Sequence, residues 1–238
     1  MPAPIKTTVE DVALVERRRA ELTRVAIACF SERGYHATTI RNVAERAHVS
    51  IGLIYQYVED KEDLLFLALA EVLASYRRQI PTALENLTDP LDRFCAAVRC
   101  YCRVNDASID ATVLAYRETK SLGRDRRAFI KQQERETNKL IAACILDCIE
   151  AGLFQAVDIE LFTYQIVMFS HAWALKAWYF SGRMTVEAYV DRGLQLMLNS
   201  ILTECGRERM RRLKRRKPAA ASSVSRAVAG RRRLTKNR

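Results

Sequence analysis

Helix-start signals follow one another at short intervals in the first third of the chain. Thr39, Ser50 and Asp60 are residue types whose side-chain oxygens cap helix N-termini, and an apolar helical pattern begins after each of them. Glycine and proline, which punctuate turn-rich β folds, number only eight and five in 238 residues. An earlier apolar stripe at helical spacing ends at Gly34 and comprises Leu22, Val25, Ala26, Cys29 and Phe30. The chain is therefore predicted to be all-α.

Two of these predicted helices are short, and a tight turn at residues 47–49 joins them. This arrangement is typical of a helix-turn-helix motif, here spanning about residues 39–58. In its second helix Ile54 and Val58 lie one turn apart and face inward. Three polar side chains are then left on one exposed turn: Tyr55, Gln56 and Tyr57.

The exposed turn has the chemistry of a surface that binds DNA. Gly52 lets another backbone approach closely, the tyrosine hydroxyls reach phosphates, and the Gln56 amide pairs with a base edge, most naturally adenine. Lys61 begins the next helix, where the N-terminus already favours a phosphate. Surface tyrosines also pack on neighbouring elements, so spacing alone leaves DNA binding and local packing equally open.

Many positions between Phe30 and Leu65 fall in a fixed and specific order. The stretch reads FSERGYHATTIRNVAERAHVSIGLIYQYVEDKEDLL. The positions that carry the pattern are Gly34, Thr38-Thr39, Val43-Ala44, Val49-Ser50, Gly52, Ile54-Tyr55, Tyr57 and Lys61-Glu62. This stretch resembles the N-terminal DNA-binding domain of TetR-family transcriptional regulators. The likeness covers about residues 16–76 and leaves residues 1–15 as a flexible arm.

The resemblance implies a set of DNA contacts. Its recognition helix spans Ser50 to Tyr57, and phosphates are held by Tyr55, Tyr57 and Lys61. Ile51, Leu53 and Gln56 lie nearest the bases. The complete implied set is Thr39, Arg41, Asn42, Ser50, Ile51, Gly52, Leu53, Tyr55, Gln56, Tyr57 and Lys61.

Two positions depart from the family pattern. His48 stands in the turn where the family usually has glycine, and histidine tolerates a left-handed backbone better than most residues. Ile51 stands where a polar or basic residue is common; helical spacing turns it inward, whereas the resemblance turns it toward DNA. With few donors on this helix, thymine methyl contacts and DNA shape are expected to contribute to specificity.

Residues 77–205 are predicted to form a second, larger helical domain. The resemblance implies that this domain binds a ligand and that its last two helices pair with those of a twofold-related copy. The predicted helix at 158–180 is apolar on nearly all sides, which suits burial on two faces. A homodimer also presents two recognition helices about one DNA turn, roughly 34–36 Å, apart, as an inverted repeat requires.

A small-molecule pocket is predicted within this second domain, with an aromatic tunnel and cations at its mouth. Such a lining suits an acyl-CoA or a hydrophobic acid. The candidate residues are Arg99, Tyr101, Arg103, Tyr116, Arg117, Tyr164, His171 and Trp173. Two alternatives stay open: these are ordinary core aromatics, or the effector is a hydrophobic cation and the protein regulates a multidrug efflux gene.

The basic charge is concentrated at the C-terminus. Residues 206–238 carry fourteen Lys or Arg against the single acid Glu208, a net +13, so residues 1–205 carry −2 of the total of +11. The segment lacks an apolar period and is predicted to be disordered. We expect a non-specific DNA contact whose deletion flattens the salt dependence of binding. A solubility tail and a nucleoid-type DNA binder working through the tail are the alternatives.

Other classes of protein find little support. No phosphate-loop, dinucleotide or nucleophile-elbow motif occurs, and the three histidines are scattered, so an enzyme is not expected. The seven cysteines lack zinc-ligand spacing, which predicts buried thiols, no metal and no cofactor. The apolar helix at 158–180 contains Gln165, His171 and Lys176, so no membrane span is expected and the location is predicted to be the cytoplasm.

Overall fold

The computed structural model describes residues 5–216, and the regular elements in that range are helices apart from one antiparallel β-bridge between Phe154 and Leu202. The prediction of an all-α fold is confirmed. The helices are α1 (Val12–Arg33), α2 (Ile40–Ala47), α3 (Ile51–Tyr55), α4 (Lys61–Leu84), α5 (Pro90–Ala107), α6 (Ile109–Glu118), α7 (Arg124–Glu150), α8 (Ile159–Leu175), α9 (Ala177–Phe180), α10 (Val186–Ile201) and α11 (Glu204–Arg216), with a 3₁₀ turn at Thr119–Ser121.

The small N-terminal domain consists of α1, α2, α3 and the start of α4. The three predicted N-caps are confirmed. The Thr39 hydroxyl accepts from the Asn42 N–H at 3.2 Å, and the Ser50 hydroxyl accepts from the Leu53 N–H at 3.1 Å. The Asp60 carboxylate accepts from the Asp63 N–H at 2.9 Å. These caps satisfy N–H groups that the first helical turn leaves without partners, which is why the helices begin where they do.

The larger domain is built around α5, which packs against α4, α7, α8 and α10. Helix α4 belongs to both domains: its 24 residues correspond to about 36 Å and carry it from the small domain through the larger one. The 27-residue α7 begins beside the first turn of α4, where Arg126 meets Glu62, and extends about 40 Å. These two long helices hold the small domain on the large one.

Helix α4 continues one turn past Pro81 to Leu84, because a proline near the helix end removes only one backbone hydrogen bond. One predicted helix boundary was inaccurate. The apolar helix predicted to run to Phe180 is broken at Lys176, whose backbone (φ −116°, ψ 24°) is not helical.

The prediction of a flexible arm at residues 1–15 is wrong for residues 5–15. Helix α1 already begins at Val12, Ile5 is buried, and the backbone N–H of Thr8 donates to the Gln56 carbonyl at 3.2 Å. A real tertiary contact therefore replaces the expected free arm. Residues 1–4 lie outside the described residues.

The prediction of a disordered tail at residues 206–238 is wrong for residues 206–216. These residues form most of α11, whose Met210 and Leu213 pack against the hydrophobic core. Apolar residues three apart therefore supply a buried stripe within an otherwise cationic helix. The rest of the predicted tail, residues 217–238, lies outside the described residues.

Within residues 5–216, no helix combines the length and the apolar composition that crossing a membrane requires.

Candidate nucleic-acid interface

Helix α3 turns one face into the small domain and leaves the other open. Ile54 is fully buried, whereas Ile51 is 39% and Tyr55 52% exposed. The outward position of Ile51 agrees with the family resemblance and not with the helical spacing. Leu53 is half-buried against the core. The outward face consists of Ser50, Ile51, Gly52, Tyr55 and Gln56.

The turn between α2 and α3 depends on a left-handed residue. His48 adopts φ 56° and ψ 40°, and the following Val49 N–H donates to the Ala44 carbonyl at 3.1 Å. The prediction that histidine would serve in place of glycine is confirmed. This conformation reverses the chain within three residues and so fixes the angle between α2 and α3.

The start of α2 is held by a reciprocal cap. The Thr39 N–H donates to the Asn42 side-chain oxygen at 3.0 Å, while the Asn42 N–H donates to the Thr39 hydroxyl. Both side chains therefore stabilise the helix start that they would present to DNA. Arg41 is largely exposed and lies 3.5 Å from the Glu45 carboxylate, one helical turn away.

Tyr57 is buried, contrary to the prediction of an exposed side chain. Its exposed fraction is 4%, and its ring lies with Leu22 and Leu53 around a small cavity of about 160 Å³. The reason is that Tyr57 lies three residues after Ile54, so it falls on the same inward side as Ile54 and Val58, whereas Tyr55 points the other way. Its implied role as a phosphate contact stays a prediction.

Lys61 is engaged within the small domain. Its ammonium donates to the carbonyls of Tyr35, His36 and Thr38 at 3.0–3.1 Å. It also lies 4.6 Å from the centroid of the Tyr35 ring, a cation–π distance. Lys61 thus ties the loop between α1 and α2 to the start of α4, and a phosphate contact by its ammonium stays a prediction.

The segment before α1, together with Arg19 in α1, supports the end of α3. The Thr7 hydroxyl donates to the Gln56 carbonyl at 2.7 Å, and the Arg19 guanidinium donates to the carbonyls of Tyr57 and Ile5, each at 2.9 Å. A helix of five residues leaves its last carbonyls without internal partners, and these donors supply them. No periodic pattern indicates this contact, which joins residues about fifty positions apart.

A second support comes from the larger domain. Arg126 at the start of α7 pairs with Asp63, which is fully buried, and lies 3.3 Å from the Glu62 carboxylate. The other Asp63 oxygen accepts from the Glu59 N–H at 2.6 Å. One carboxylate therefore connects α7 to the loop that leaves the recognition helix. No local sequence pattern indicates a pair 63 residues apart.

The predicted effector residues Tyr101, Tyr116 and His171 come together in the larger domain, where Tyr101 is fully buried and Tyr116 is 48% exposed. The Tyr116 hydroxyl and His171 Nδ1 are 2.7 Å apart, and the Tyr101 and His171 ring centroids are 5.7 Å apart. Burial lowers the pKa of His171 to about 4, so its imidazole is neutral near pH 7. Burial likewise raises the pKa of Tyr101 and Tyr116.

The other predicted effector residues do not join this cluster. Arg99 pairs with Asp191, and Arg103 lies 3.7 Å from the Glu187 carboxylate. Arg117 is exposed on α6, and Tyr164 is 40% exposed on α8. Trp173 is buried and donates to the Asp106 carboxylate at 2.8 Å. Packing therefore places these five residues outside the Tyr101–Tyr116–His171 cluster, and one aromatic tunnel with cations at its mouth stays a prediction.

Three cavities in the described part of the chain have linings that include none of the eight predicted effector residues. The largest, about 1120 Å³, lies between α1, α4 and the α5–α6 turn. A second, of about 340 Å³, lies where α4, α5 and α7 meet. The third is the small cavity beside Tyr57.

Six of the seven cysteines are buried, as predicted, and Cys205 is exposed. Burial raises the pKa of Cys102 to about 12 and that of Cys144 to about 11. These groups are therefore protonated thiols near neutral pH and lack the thiolate that redox chemistry requires.

Comparison with known proteins identifies the family. The model of bacterial regulatory proteins, tetR family, matches residues 22–68, and that of the tetracyclin repressor-like C-terminal domain matches residues 87–201. The HTH-type transcriptional regulator HbdR of Aromatoleum sp. (strain CIB) is 48% identical over 211 residues, which is 89% of this chain and 92% of HbdR. The chain belongs to the TetR family. It is a DNA-binding transcriptional regulator, and α2–α3 is its helix-turn-helix.

Two further similarities extend over most of this TetR-family chain. The HTH-type transcriptional repressor KstR2 of Rhodococcus jostii (strain RHA1) is 26% identical and covers 81% of this chain and 95% of its own. The crystal structure of AibR in complex with isovaleryl coenzyme A and operator DNA has a TM-score of 0.65 at 19% identity, over 78% of this chain and 98% of AibR. The second similarity concerns the fold alone.

Proposed function

We propose that this TetR-family regulator is a ligand-responsive repressor that binds an inverted-repeat operator as a homodimer. The observation that carries the proposal is the outward face of α3, where Ile51, Tyr55 and Gln56 are exposed while Ile54 anchors the helix in the small domain. An aliphatic group, a phenol and an amide together suit thymine methyls, phosphates and adenine. Repression is supported by the name of the related KstR2 repressor.

The homodimer is supported by exposed apolar side chains on α8 and α10. Leu161, Tyr164 and Met168 follow one stripe of α8 at i, i+3 and i+7, with exposed fractions of 58%, 40% and 48%. Leu196 on the neighbouring α10 is 74% exposed. A second copy related by a twofold axis would cover these side chains and place two α3 helices on one side of the assembly.

The proposed effector is an acyl-CoA or a hydrophobic acid that enters the larger domain near Tyr101. The Tyr101 hydroxyl and both polar atoms of the Asn138 side chain are buried among the described residues without hydrogen-bond partners. Such atoms are costly in the free protein and favour a ligand that supplies a carbonyl or hydroxyl group. AibR, a fold neighbour, was solved with isovaleryl coenzyme A.

A hydrophobic cation is the second candidate effector, because Glu134 lies within the same region. Burial raises the pKa of Glu134, and this carboxylate in turn raises the pKa of Tyr101 and Tyr116. A bound cation would stabilise the charged form of Glu134. Arg99 and Arg103 already have carboxylate partners, so a CoA phosphate would compete with Asp191 and Glu187.

Selection from a random-sequence duplex library tests the proposed function. The full-length protein is expected to recover an inverted repeat, and light scattering is expected to give two protomers per duplex. A monomer at micromolar concentration, or recovered duplexes without a shared repeat, would contradict the proposal. The second outcome is what a nucleoid-type binder produces.

Thermal unfolding with two probes separates the effector classes, because a ligand of the native state raises its stability. Isovaleryl-CoA is expected to raise the melting temperature of the wild type and of Glu134→Gln. If tetraphenylphosphonium raises the melting temperature of the wild type but not that of Glu134→Gln, the effector is a hydrophobic cation and not an acyl-CoA.

A further inference from the structure

Helix α11 is strongly cationic and lies beyond the family's C-terminal domain, whose match ends at residue 201. It contains seven Lys or Arg against Glu204 and Glu208, a net charge of +5 in 13 residues. Charged helices that are simply solvated are common on protein surfaces. The position of α11 and its attachment to the domain therefore decide whether it is a binding surface.

The apolar face of α11 is occupied by packing. Met210 and Leu213 contact the hydrophobic core, and the Gly206 N–H donates to the Thr203 hydroxyl at 3.0 Å. A Cβ atom at Gly206 would lie 2.1 Å from the Leu153 carbonyl oxygen, so the helix starts tightly against the turn that follows α7. The outward face is left to arginines, of which Arg211, Arg212 and Arg215 are exposed.

The start of α11 lies at the end of the protein remote from α3. Arg209 pairs with Asp89 at 3.0 Å, just beyond the C-terminus of α4, whose first residue, Lys61, follows the recognition helix. Helix α4 spans about 36 Å. Helix α7 gives the same separation. It begins beside Asp63, extends about 40 Å and ends just before Leu153, which lies against the start of α11.

We propose that α11 is a second DNA-binding surface, which binds the phosphate backbone of a duplex other than the operator held by α3. The proposal rests on the proposed function in one respect, the binding of operator by α3. Arginine is the residue best suited to phosphate, because its guanidinium forms two parallel hydrogen bonds to the oxygens.

Two other occupants of this surface fit less well. An acidic membrane would use the apolar face of an amphipathic helix, but Met210 and Leu213 are partly buried and already packed against the core. A second copy of α11 would bring two like-charged faces together. A DNA duplex needs only the cationic face that is available.

The first test removes charge from α11 and leaves its packed face intact. The variant Arg211→Gln/Arg212→Gln/Arg215→Gln is compared with Lys131→Gln/Arg135→Gln/Lys139→Gln, which removes three exposed charges from α7 instead. Protein bound to a bead-tethered 30-bp duplex from the selection is offered a labelled random-sequence 60-bp duplex. Wild type and the α7 control are expected to capture it.

For the α11 variant, binding of the captured duplex is expected to depend less steeply on salt. The negative slope of log K against log salt becomes shallower by about 2 to 3, at roughly 0.9 for each phosphate that is no longer neutralised. Its affinity for the tethered duplex is expected to match the wild type. The proposal is overturned if wild type captures no second duplex, or if the variant captures it with an unchanged slope. Equal weakening toward the tethered duplex would mean that α11 contacts the operator itself, which also overturns the proposal.

The second test uses Cys205, the exposed cysteine at the second position of α11, while the other six are buried. An iron–EDTA group attached to it should cleave the 60-bp duplex and leave the 30-bp duplex intact; the reverse pattern contradicts the proposal. If no duplex is recovered by selection, the proposed function fails. In that case, iron–EDTA on Cys205 is mixed with random-sequence DNA only, and cleavage or its absence still shows whether α11 binds DNA.

Discussion

Arg126 at the start of α7 and Asp63 in the first turn of α4 form an ion pair that joins the two domains. Asp63 is fully buried, and the Arg126 side chain is 20% exposed. Because the other Asp63 oxygen accepts from the Glu59 N–H, the same carboxylate also holds the loop after the recognition helix. A displacement of the start of α7 would therefore move Asp63, and Asp63 would in turn change the orientation of α3.

Arg126→Gln is expected to lower the free energy of unfolding by about 3–5 kcal/mol, because it leaves the buried Asp63 charge without its partner. Chemical denaturation measures the change. Arg124→Gln, which removes an exposed charge two residues earlier, is the control and is expected to be neutral. A loss below about 1 kcal/mol in Arg126→Gln, as for a surface pair, would contradict this assignment.

Thr7→Val is expected to weaken operator binding about three- to tenfold, while Thr7→Ser keeps wild-type affinity. The hydroxyl that donates to the Gln56 carbonyl is lost in the first variant and retained in the second. A hydrogen bond of this kind contributes roughly 0.5–1.5 kcal/mol. Fluorescence anisotropy with the selected duplex measures the effect; equal binding by the two variants would show that Thr7 does not support α3.

His171 is expected to make stability fall as the pH drops from about 6.5 to about 4. Burial lowers its folded-state pKa to about 4, whereas the unfolded chain takes up the proton near 6.5. Over that window the unfolded state binds more protons, which costs up to about 3 kcal/mol of stability. His171→Gln is expected to flatten this part of the curve of unfolding free energy against pH.

Gly193→Ala is expected to destabilise the pairing of α8 with α10. A Cβ atom at Gly193 would lie 2.1 Å from Cζ of Phe169, whose ring stacks on Tyr189 at 4.6 Å. Overpacking of this kind costs roughly 1–3 kcal/mol. Sedimentation should then show weaker dimerisation, since the proposed dimer face lies on these helices. A variant that matches wild type in both stability and dimer affinity would count against that placement.

Local chemistry predicted the helix starts well, because Thr39, Ser50 and Asp60 cap helices through bonds to residues only three positions away. The prediction failed for Tyr57, because it grouped Tyr57 with Tyr55 on one exposed turn although Tyr57 is three residues after the inward Ile54 and shares its side. The Arg126–Asp63 pair was beyond prediction, because a contact across 63 positions depends on how the whole chain packs.

The effector residues illustrate the same limit. Tyr101, Tyr116 and His171 were brought together as expected, but Tyr164 lies on an exposed stripe and Arg99 is paired with Asp191. An aromatic residue carries no local mark that distinguishes a core position from a pocket or an interface. Helix α11 was missed because its high charge outweighed the two apolar residues that attach it.

The affinity of the selected duplex for Gln56→Ala and Tyr55→Phe tests the central claim most directly. Both side chains are exposed on α3, so neither change should alter the unfolding free energy by more than about 0.5 kcal/mol. If α3 reads DNA, each variant is expected to bind about fivefold or more weakly than wild type and than the remote control Arg135→Gln. A hydrogen bond from Tyr55 to a charged phosphate contributes about 1.5–3 kcal/mol, and a bidentate contact from Gln56 to a base about 1–3 kcal/mol. Wild-type affinity in both variants would contradict the account.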